Sequence, residues 1–163
     1  MKRMLWLVVL IIFLSVGAQR SYACVCSGTS TMLKLQLTEG RFNISAEGWL
    51  DSYQGVIFLG QVVNIKKVKV KLSGGDTWHN YQVTFKVDRY WKGSDSSEAI
   101  VLTSVGGGDC GFRFRKGESY IVFADMIGNR LRTGICDLTA ESRYAANFIK
   151  GLKLGDGKQP TPR

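Results

Sequence analysis

The sequence has little histidine, few acidic residues and no second long apolar run. Its single histidine, His79, makes a histidine-ligated zinc site or a serine–histidine–aspartate triad a poor expectation, because both need placed imidazoles. No nucleophile–base pair stands out elsewhere, so we do not expect an enzyme. Only 13 Asp+Glu balance 22 Lys+Arg, which gives the 163-residue chain a formal net charge of +9. A basic chain of this length is one domain that suits an anionic partner.

The N-terminal end carries the one long apolar run. Lys2 and Arg3 precede an almost wholly apolar stretch over residues 4–16, and Ser21-Tyr22-Ala23 forms a small-x-small cleavage signal. The run is shorter than the ~20 residues of a membrane span. Residues 1–23 therefore read as a secretory signal peptide, and we expect a secreted protein, extracellular or, in a bacterium, periplasmic. No transmembrane segment is expected in the mature chain.

Cleavage after Ala23 makes Cys24 the first mature residue. Signal peptidase I would leave a free α-amino group on this cysteine, whereas a lipoprotein pathway would acylate it and anchor the chain at Cys24. Ser21 stands where a lipoprotein signal usually has leucine. Cleavage also lowers the formal net charge from +9 to +6. Anionic glycans or matrix suit such a secreted chain as partners better than nucleic acid, which we do not expect.

Alternation of apolar and polar residues predicts a long β-hairpin. Residues 55–72 are rich in Val and Ile, and their second half alternates apolar residues with Lys67, Lys69 and Lys71. Strict alternation indicates a strand with one buried and one wet face, so the lysines form a possible basic face. A glycine-containing turn follows, and a second alternating run begins at Tyr81.

The rest of the chain predicts further strands and two short helices. Strands are expected over residues 99–105, 120–124 and 130–136, with helices over 45–53 and 139–150, the latter capped by Thr139. The fold class is therefore mainly β, an OB-like closed barrel of five strands with one or two short helices, although propensity alone would also allow a sandwich. Residues 153–163 are rich in Gly, Lys and Pro and predict a disordered tail.

Four cysteines in an oxidising compartment predict two disulfides. Neighbours two residues apart rarely meet disulfide geometry, so Cys24 and Cys26 should each pair with Cys110 or Cys136. Both such pairings stay open on the residues alone. A zinc site is a weaker reading of the same residues, because Cys110 and Cys136 are single rather than in paired knuckles.

These residues resemble the tissue inhibitors of metalloproteinases (TIMPs), whose N-terminal domain is a netrin-like barrel. The mature chain opens Cys24-Val25-Cys26 and later carries Asp109-Cys110-Gly111-Phe112 and a final Cys136. Further matching positions are Tyr90-Trp91-Lys92-Gly93, Phe114, Gly117, Tyr120, Val122-Phe123-Ala124, Leu131 and Thr133. The resemblance covers roughly residues 24–152 and is to the single-domain form.

The resemblance implies a function, a site and a disulfide pairing. It pairs Cys24 with Cys110 and Cys26 with Cys136, and makes the chain an inhibitor of zinc metalloendopeptidases. The amine and carbonyl of Cys24 would chelate the protease's zinc, and Val25, Cys26 and Ser27 would contact its substrate pocket. The inhibitor would need no cofactor and no metal of its own.

The sequence also departs from the inhibitor pattern. The inhibitors usually have proline two residues after the second cysteine, where this chain has Gly28, and glycine loosens a segment that proline would stiffen. A secreted netrin-like binding module without inhibitory activity, for a protein, matrix or glycan partner, is therefore the alternative. Asn43-Ile44-Ser45 is a glycosylation acceptor that has meaning only in a eukaryotic host.

Overall fold

The structure is a computed structural model, and it describes residues 24, 26, 29–42, 49–71, 77–93, 95–106 and 108–161. The predicted signal peptide, residues 1–23, the predicted contact residues Val25 and Ser27, and Asn43 lie outside this part. The helices are α1 (Thr29–Thr38), α2 (Trp49–Ser52) and α3 (Ala145–Gly151), with a 3-10 turn over Ser142–Tyr144. The strands are β1 (Val56–Lys71), β2 (Thr77–Lys92), β3 (Glu98–Ser104), β4 (Ser119–Ile127), β5 (Arg130–Arg132) and β6 (Ala140–Glu141).

The predicted long hairpin is confirmed. Strands β1 and β2 pair antiparallel from Ile57–Lys92 at one end to Lys71–Thr77 at the other. The first part of β1, Val56–Gln61, also pairs with β4 on its other edge, and the distal part pairs with β2 alone. The distal half of the hairpin therefore extends beyond the strands that close the sheet.

Five strands form a closed ring of pairings. The order is β1–β2–β3–β5–β4, and β4 pairs back onto β1. The short β3–β5 pairing is parallel, whereas the other pairings are antiparallel. The ring confirms the predicted mainly β class, with short helices packed on it. Alternation alone could not separate this arrangement from a sandwich, because both bury one face of every strand.

The ring separates two apolar clusters. One cluster takes side chains from all five strands, including Phe58, Phe85, Val101 and Val122, and so fills the ring. The other packs α1 and α3 against the opposite face of β1 and β4, where Phe148 is fully buried. Burial of one such side chain contributes roughly 1.5–3 kcal/mol. The helices therefore cover this face of β1 and β4.

Thr139 does not cap the last helix as expected. It is fully buried, and its hydroxyl accepts a hydrogen bond from the Phe123 amide at 2.9 Å. The Thr133 hydroxyl donates to the Phe123 carbonyl at 2.8 Å and lies 2.8 Å from the Thr139 hydroxyl. Two threonine hydroxyls thus satisfy the Phe123 backbone, as buried polar groups require. The helical turns begin only at Ser142.

The C-terminal segment also differs from the expected disordered tail. Residues 153–161 run beside the end of β2, where the backbones of Lys158 and Tyr90 exchange two hydrogen bonds of 2.7 and 2.8 Å. The Trp91 indole donates to the Gly155 carbonyl at 3.0 Å, and the Thr161 amide donates to the Asp95 carbonyl at 3.0 Å. Composition missed this contact because backbone pairing needs no apolar side chains.

Candidate functional site

Two adjacent disulfides tie the predicted mature N-terminus to the ring. Cys24 pairs with Cys110 at a Cα–Cα distance of 5.3 Å, and Cys26 pairs with Cys136 at 5.1 Å. This is one of the two pairings that the residues left open, and the one that the TIMP resemblance implies. The Sγ atoms of Cys24 and Cys136 lie 3.8 Å apart. Cys24 and Cys26 are therefore held close together by adjacent disulfides.

The loop that carries Cys110 is fixed by its own hydrogen bonds. The Asp109 carboxylate accepts from the Gly106 amide at 2.7 Å, and the Phe112 amide donates to the Thr103 hydroxyl at 2.7 Å. Cys110 itself has a left-handed backbone with φ of 60°. A Cβ on Gly111 would overlap the backbone carbonyl of Ser104, so only glycine fits there.

The loop that carries Cys136 binds directly to the Cys110 loop. The Ile135 amide donates to the Cys110 carbonyl at 2.8 Å, and Gly111 forms an isolated antiparallel β-bridge with Gly134. The Asp137 carboxylate accepts from the Gly134 amide at 2.6 Å. The two loops therefore form one hydrogen-bonded platform, on which Cys24 and Cys26 are fastened.

Lys34 of helix α1 braces this platform from the side. Its ammonium donates to the carbonyls of Asp137 at 2.8 Å and Ile135 at 3.2 Å, and it lies 5.2 Å from the centre of the Phe112 ring. Burial lowers the pKa of Lys34 from 10.5 to about 8, and the Asp137 charge offsets this only in part. No sequence pattern indicated a role for Lys34, because only the fold brings α1 beside Cys136.

The lowered pKa of Lys34 predicts a pH dependence of stability. Between pH 8 and 10.5 the unfolded chain keeps its proton on Lys34 while the folded chain loses it, so the free energy of unfolding rises with pH. Lys34→Met removes this rise, whereas Lys116→Met, at an exposed lysine, keeps it. Urea unfolding from pH 8 to 9.5 measures the difference. Parallel pH profiles for the wild type and Lys34→Met would contradict the prediction.

A small acidic cavity lies behind the platform. It measures about 230 Å³ and is lined by Ser30, Tyr53, Phe123, Asp125, Asp137 and Leu138. Burial raises the pKa of the Tyr53 phenol, and the nearby Asp125 carboxylate adds to this effect. Burial also raises the pKa of Asp137, against the hydrogen bond from the Gly134 amide. Of these groups, Asp137 belongs to the Cys136 loop, through its bond to the Gly134 amide.

The outer side of the platform is an open apolar hollow beside Cys24. It measures about 380 Å³, and its wall includes Cys110, Phe112 and the exposed side chain of Ile135. The Sγ atoms of Cys24, Cys110 and Cys136 lie within 4.8 Å of one another. All three cysteines are in disulfides, so none of them is a thiolate, the form of cysteine that binds metals. In the oxidised chain this cluster therefore links segments of the fold and does not bind a metal.

The predicted basic face lies elsewhere on the molecule. Lys67, Lys69 and Lys71 are exposed on the distal part of β1 and face Tyr81, His79 and Thr77 across the hairpin. His79 is exposed too. The lysines therefore lie beyond the part of β1 that pairs with β4, and they do not join the platform.

Within the described ranges, no helix is long and apolar enough to cross a membrane. No protein-family model matches the chain, and no curated protein matches it. Function is therefore inferred from the geometry around Cys24 and from the residue pattern.

Proposed function

We propose that the chain is a secreted TIMP-like protein with a netrin-like domain, which inhibits zinc metalloendopeptidases through the amine and carbonyl of Cys24. The observation that carries the proposal is that two disulfides attach Cys24 and Cys26 to two loops that are hydrogen-bonded to each other. Two bonds within three residues hold the backbone of Cys24 in one orientation.

The proposed chemistry follows from the coordination of a protease zinc. Such a zinc has three protein ligands and one open position that holds the water used for hydrolysis. An α-amino group has a pKa of about 7.7–8.0, so part of it is neutral near pH 7. Its nitrogen and the Cys24 carbonyl oxygen would form a five-membered chelate on the zinc. The chelate displaces the water, and hydrolysis stops.

Rigidity supports this mechanism, because an inhibitor that is already ordered loses little entropy on binding. The Cys110 carbonyl, next to the bond to Cys24, is held by the Ile135 amide, and Lys34 holds the carbonyls on either side of Cys136. In the proposal, Val25 enters the protease pocket for the residue after the scissile bond, and Cys26 and Ser27 line its rim. The hollow beside Cys24 would receive the protease surface.

The proposal requires a free amine on Cys24, and so signal-peptide cleavage after Ala23. The two disulfides are compatible with an extracellular or periplasmic location. The intact mass of the purified mature protein checks this requirement. A chain starting at Cys24 and lighter by four hydrogens agrees with it, whereas an acylated Cys24, as in a lipoprotein, contradicts the mechanism.

Titration of the mature protein against a panel of zinc metalloendopeptidases tests the function. We expect at least one protease to lose its activity at a one-to-one ratio, and a serine protease run in parallel to keep its activity. A folded, disulfide-bonded protein that inhibits no member of the panel would contradict the proposal. That result would instead favour the non-inhibitory binding module.

A further inference from the structure

An apolar cavity at one end of the ring plays no part in the proposed inhibitor site. It measures about 330 Å³, and its walls come from strands β1, β2, β3 and β5 and from the loop that joins β2 to β3. We call it the ring-end cavity. Most of its lining is apolar, as is usual for small-molecule sites of about 300–1,000 Å³. The apolar lining residues are Val56, Phe58, Val87, Ala99, Ile100 and Leu131.

The ring-end cavity continues the interior of the ring. Phe58 and Val87 belong to the apolar cluster that fills the ring, and they are only 3% and 5% exposed. Val56, Ala99 and Leu131 are partly buried and pack against the same cluster. An apolar group that enters the cavity from solvent therefore contacts side chains of the core, and its burial is favourable.

The cavity lies beside a gap in the strand pairing. In the described strands, β5 pairs with β3 only at Val101 and Leu102, so residues 98–100 of β3 pair with β2 alone. Ile100, on this unpaired edge, lines the cavity and is 47% exposed. The gap gives a small ligand a way into the cavity that does not separate two paired strands.

The wall of the cavity holds one cation in a fixed position. The Lys92 ammonium donates to the carbonyls of Leu50 at 2.7 Å and Asp51 at 3.5 Å, next to α2. Lys92 is half-buried, and in the part of the chain that the structure describes it forms no ion pair. Backbone carbonyls do not neutralise its charge. An ammonium has three N–H donors, so the third is available to a carboxylate of a ligand.

The acidic residue of the wall is placed differently. Glu98 is exposed at the start of β3, opposite the exposed Lys86 in the strand register. Among the described residues, its carboxylate forms no ion pair that would hold it toward the cavity. The Lys92 ammonium, by contrast, is held by two backbone carbonyls. The charge that is fixed in the wall is therefore positive.

We propose that the ring-end cavity binds a small amphipathic carboxylate. The apolar chain of the ligand lies against the ring interior, and its carboxylate accepts a hydrogen bond from Lys92. A hydrogen bond between two charged groups is stronger than one between neutral groups, and a donor that is already positioned loses less entropy on binding. The cavity is at the lower end of the size range of small-molecule sites, so a short chain fits better than a long-chain lipid.

The proposal gives a role to part of the sequence that the inhibitor mechanism leaves unused. Lys92 and Gly93 belong to the Tyr90-Trp91-Lys92-Gly93 segment, which lies far along the chain from Cys24. Gly93 has a left-handed backbone with φ of 98°, and a Cβ there would overlap the side chain of Val56 in the cavity wall. Ligand binding is independent of protease inhibition, because no residue that lines the cavity belongs to the platform around Cys24.

Calorimetry with the disulfide-bonded mature protein and sodium octanoate, octan-1-ol or octylamine tests the proposal. We expect octanoate to bind at least about tenfold more tightly than the alcohol or the amine. Hexanoate should bind about tenfold more weakly than octanoate, because it buries two methylene groups fewer. Equal affinities for octanoate and octan-1-ol would overturn the proposal, since Lys92 would then not hold the carboxylate. Tighter binding of octylamine, or no binding of octanoate, would also overturn it.

Replacement of Lys92 tests the charge directly. Lys92→Met keeps the aliphatic stem and should weaken octanoate binding at least about tenfold, while octan-1-ol stays within about twofold. The matched control Lys116→Met removes the charge of an exposed lysine elsewhere and should change neither affinity more than about twofold. Equal losses of octanoate binding in both variants would overturn the proposal in favour of unspecific charge attraction.

A second variant guards against loss of fold, because Lys92→Met also removes the donor to the Leu50 carbonyl. Ala99→Leu adds carbon atoms in the cavity wall and should weaken both octanoate and octan-1-ol at least about tenfold. Ala146→Leu adds the same atoms at an exposed position of α3 and should leave both affinities within about twofold. Unchanged octanoate binding in Ala99→Leu would overturn the proposal. Inhibition of a protease, where it occurs, should be the same in all these variants.

Discussion

One alanine added before Cys24 should weaken inhibition of a susceptible metalloendopeptidase at least about 100-fold, equivalent to about 2.7 kcal/mol of binding free energy. The added residue turns the α-amino group into an amide nitrogen, which has no free lone pair for zinc. It also places extra atoms where the chelate must close. The inhibition constant of the mature and extended proteins, measured on the same protease, gives the ratio directly.

A matched control separates chelation from damage to the fold. One alanine added after Arg163 changes the mass equally and should leave the inhibition constant within about twofold. Both extended proteins should keep the urea-unfolding free energy of the unextended chain, because no described contact depends on the amine of Cys24. If the N-terminally extended protein inhibits as well as the mature one, zinc chelation by Cys24 is not the mechanism.

Replacement of the second disulfide should cost a large amount of stability. Cys26→Ser with Cys136→Ser opens a link between residues separated by 110 positions. Since Cys24–Cys110 stays closed, the shortest path between Cys26 and Cys136 runs through residues 24–26 and 110–136. In the chain-entropy treatment, closing a loop of about 28 residues stabilises the fold by about 3.5 kcal/mol. That is a large share of the 5–15 kcal/mol typical of a domain. Urea unfolding without reductant measures the loss.

The first disulfide supplies the comparison for this experiment. Cys24→Ser with Cys110→Ser opens the same path, through residues 24–26 and 110–136, because Cys26–Cys136 stays closed, so its expected loss is about the same. The two variants should therefore unfold at similar urea concentrations, well below the wild type. A loss under about 1 kcal/mol in both would show that the platform is held by its hydrogen bonds rather than by the links. Only the Cys24 variant changes the residue proposed to bind zinc.

The proposed inhibitor site could be predicted in part. The C-x-C opening and the cleavage site pointed to Cys24, because both are local patterns. The residues alone could not choose between the two cross-chain pairings, since the choice depends on which loops the fold brings together. No sequence pattern indicated that Lys34 belongs to this site. Its carbonyl partners lie more than 100 positions away in the chain.

The C-terminal segment and Thr139 also show where prediction from the sequence fails. The tail has the composition of a disordered chain, yet backbone groups of Tyr90 at the end of β2 pair with it. Thr139 stands where a helix cap is plausible, yet its hydroxyl satisfies the Phe123 backbone in the core. In both cases a local preference is overridden by hydrogen bonds to a backbone group of a distant strand.

By itself, the sequence determined the mainly β class, the long hairpin and the two possible cross-chain pairings of Cys24 and Cys26. Each of these follows from short-range patterns, namely alternation along a strand and the strain of a link between near neighbours. Only the tertiary structure decided which cysteines pair and that Lys34 braces their loops. Those relations join positions far apart in the chain, and closure of the ring is what brings them together.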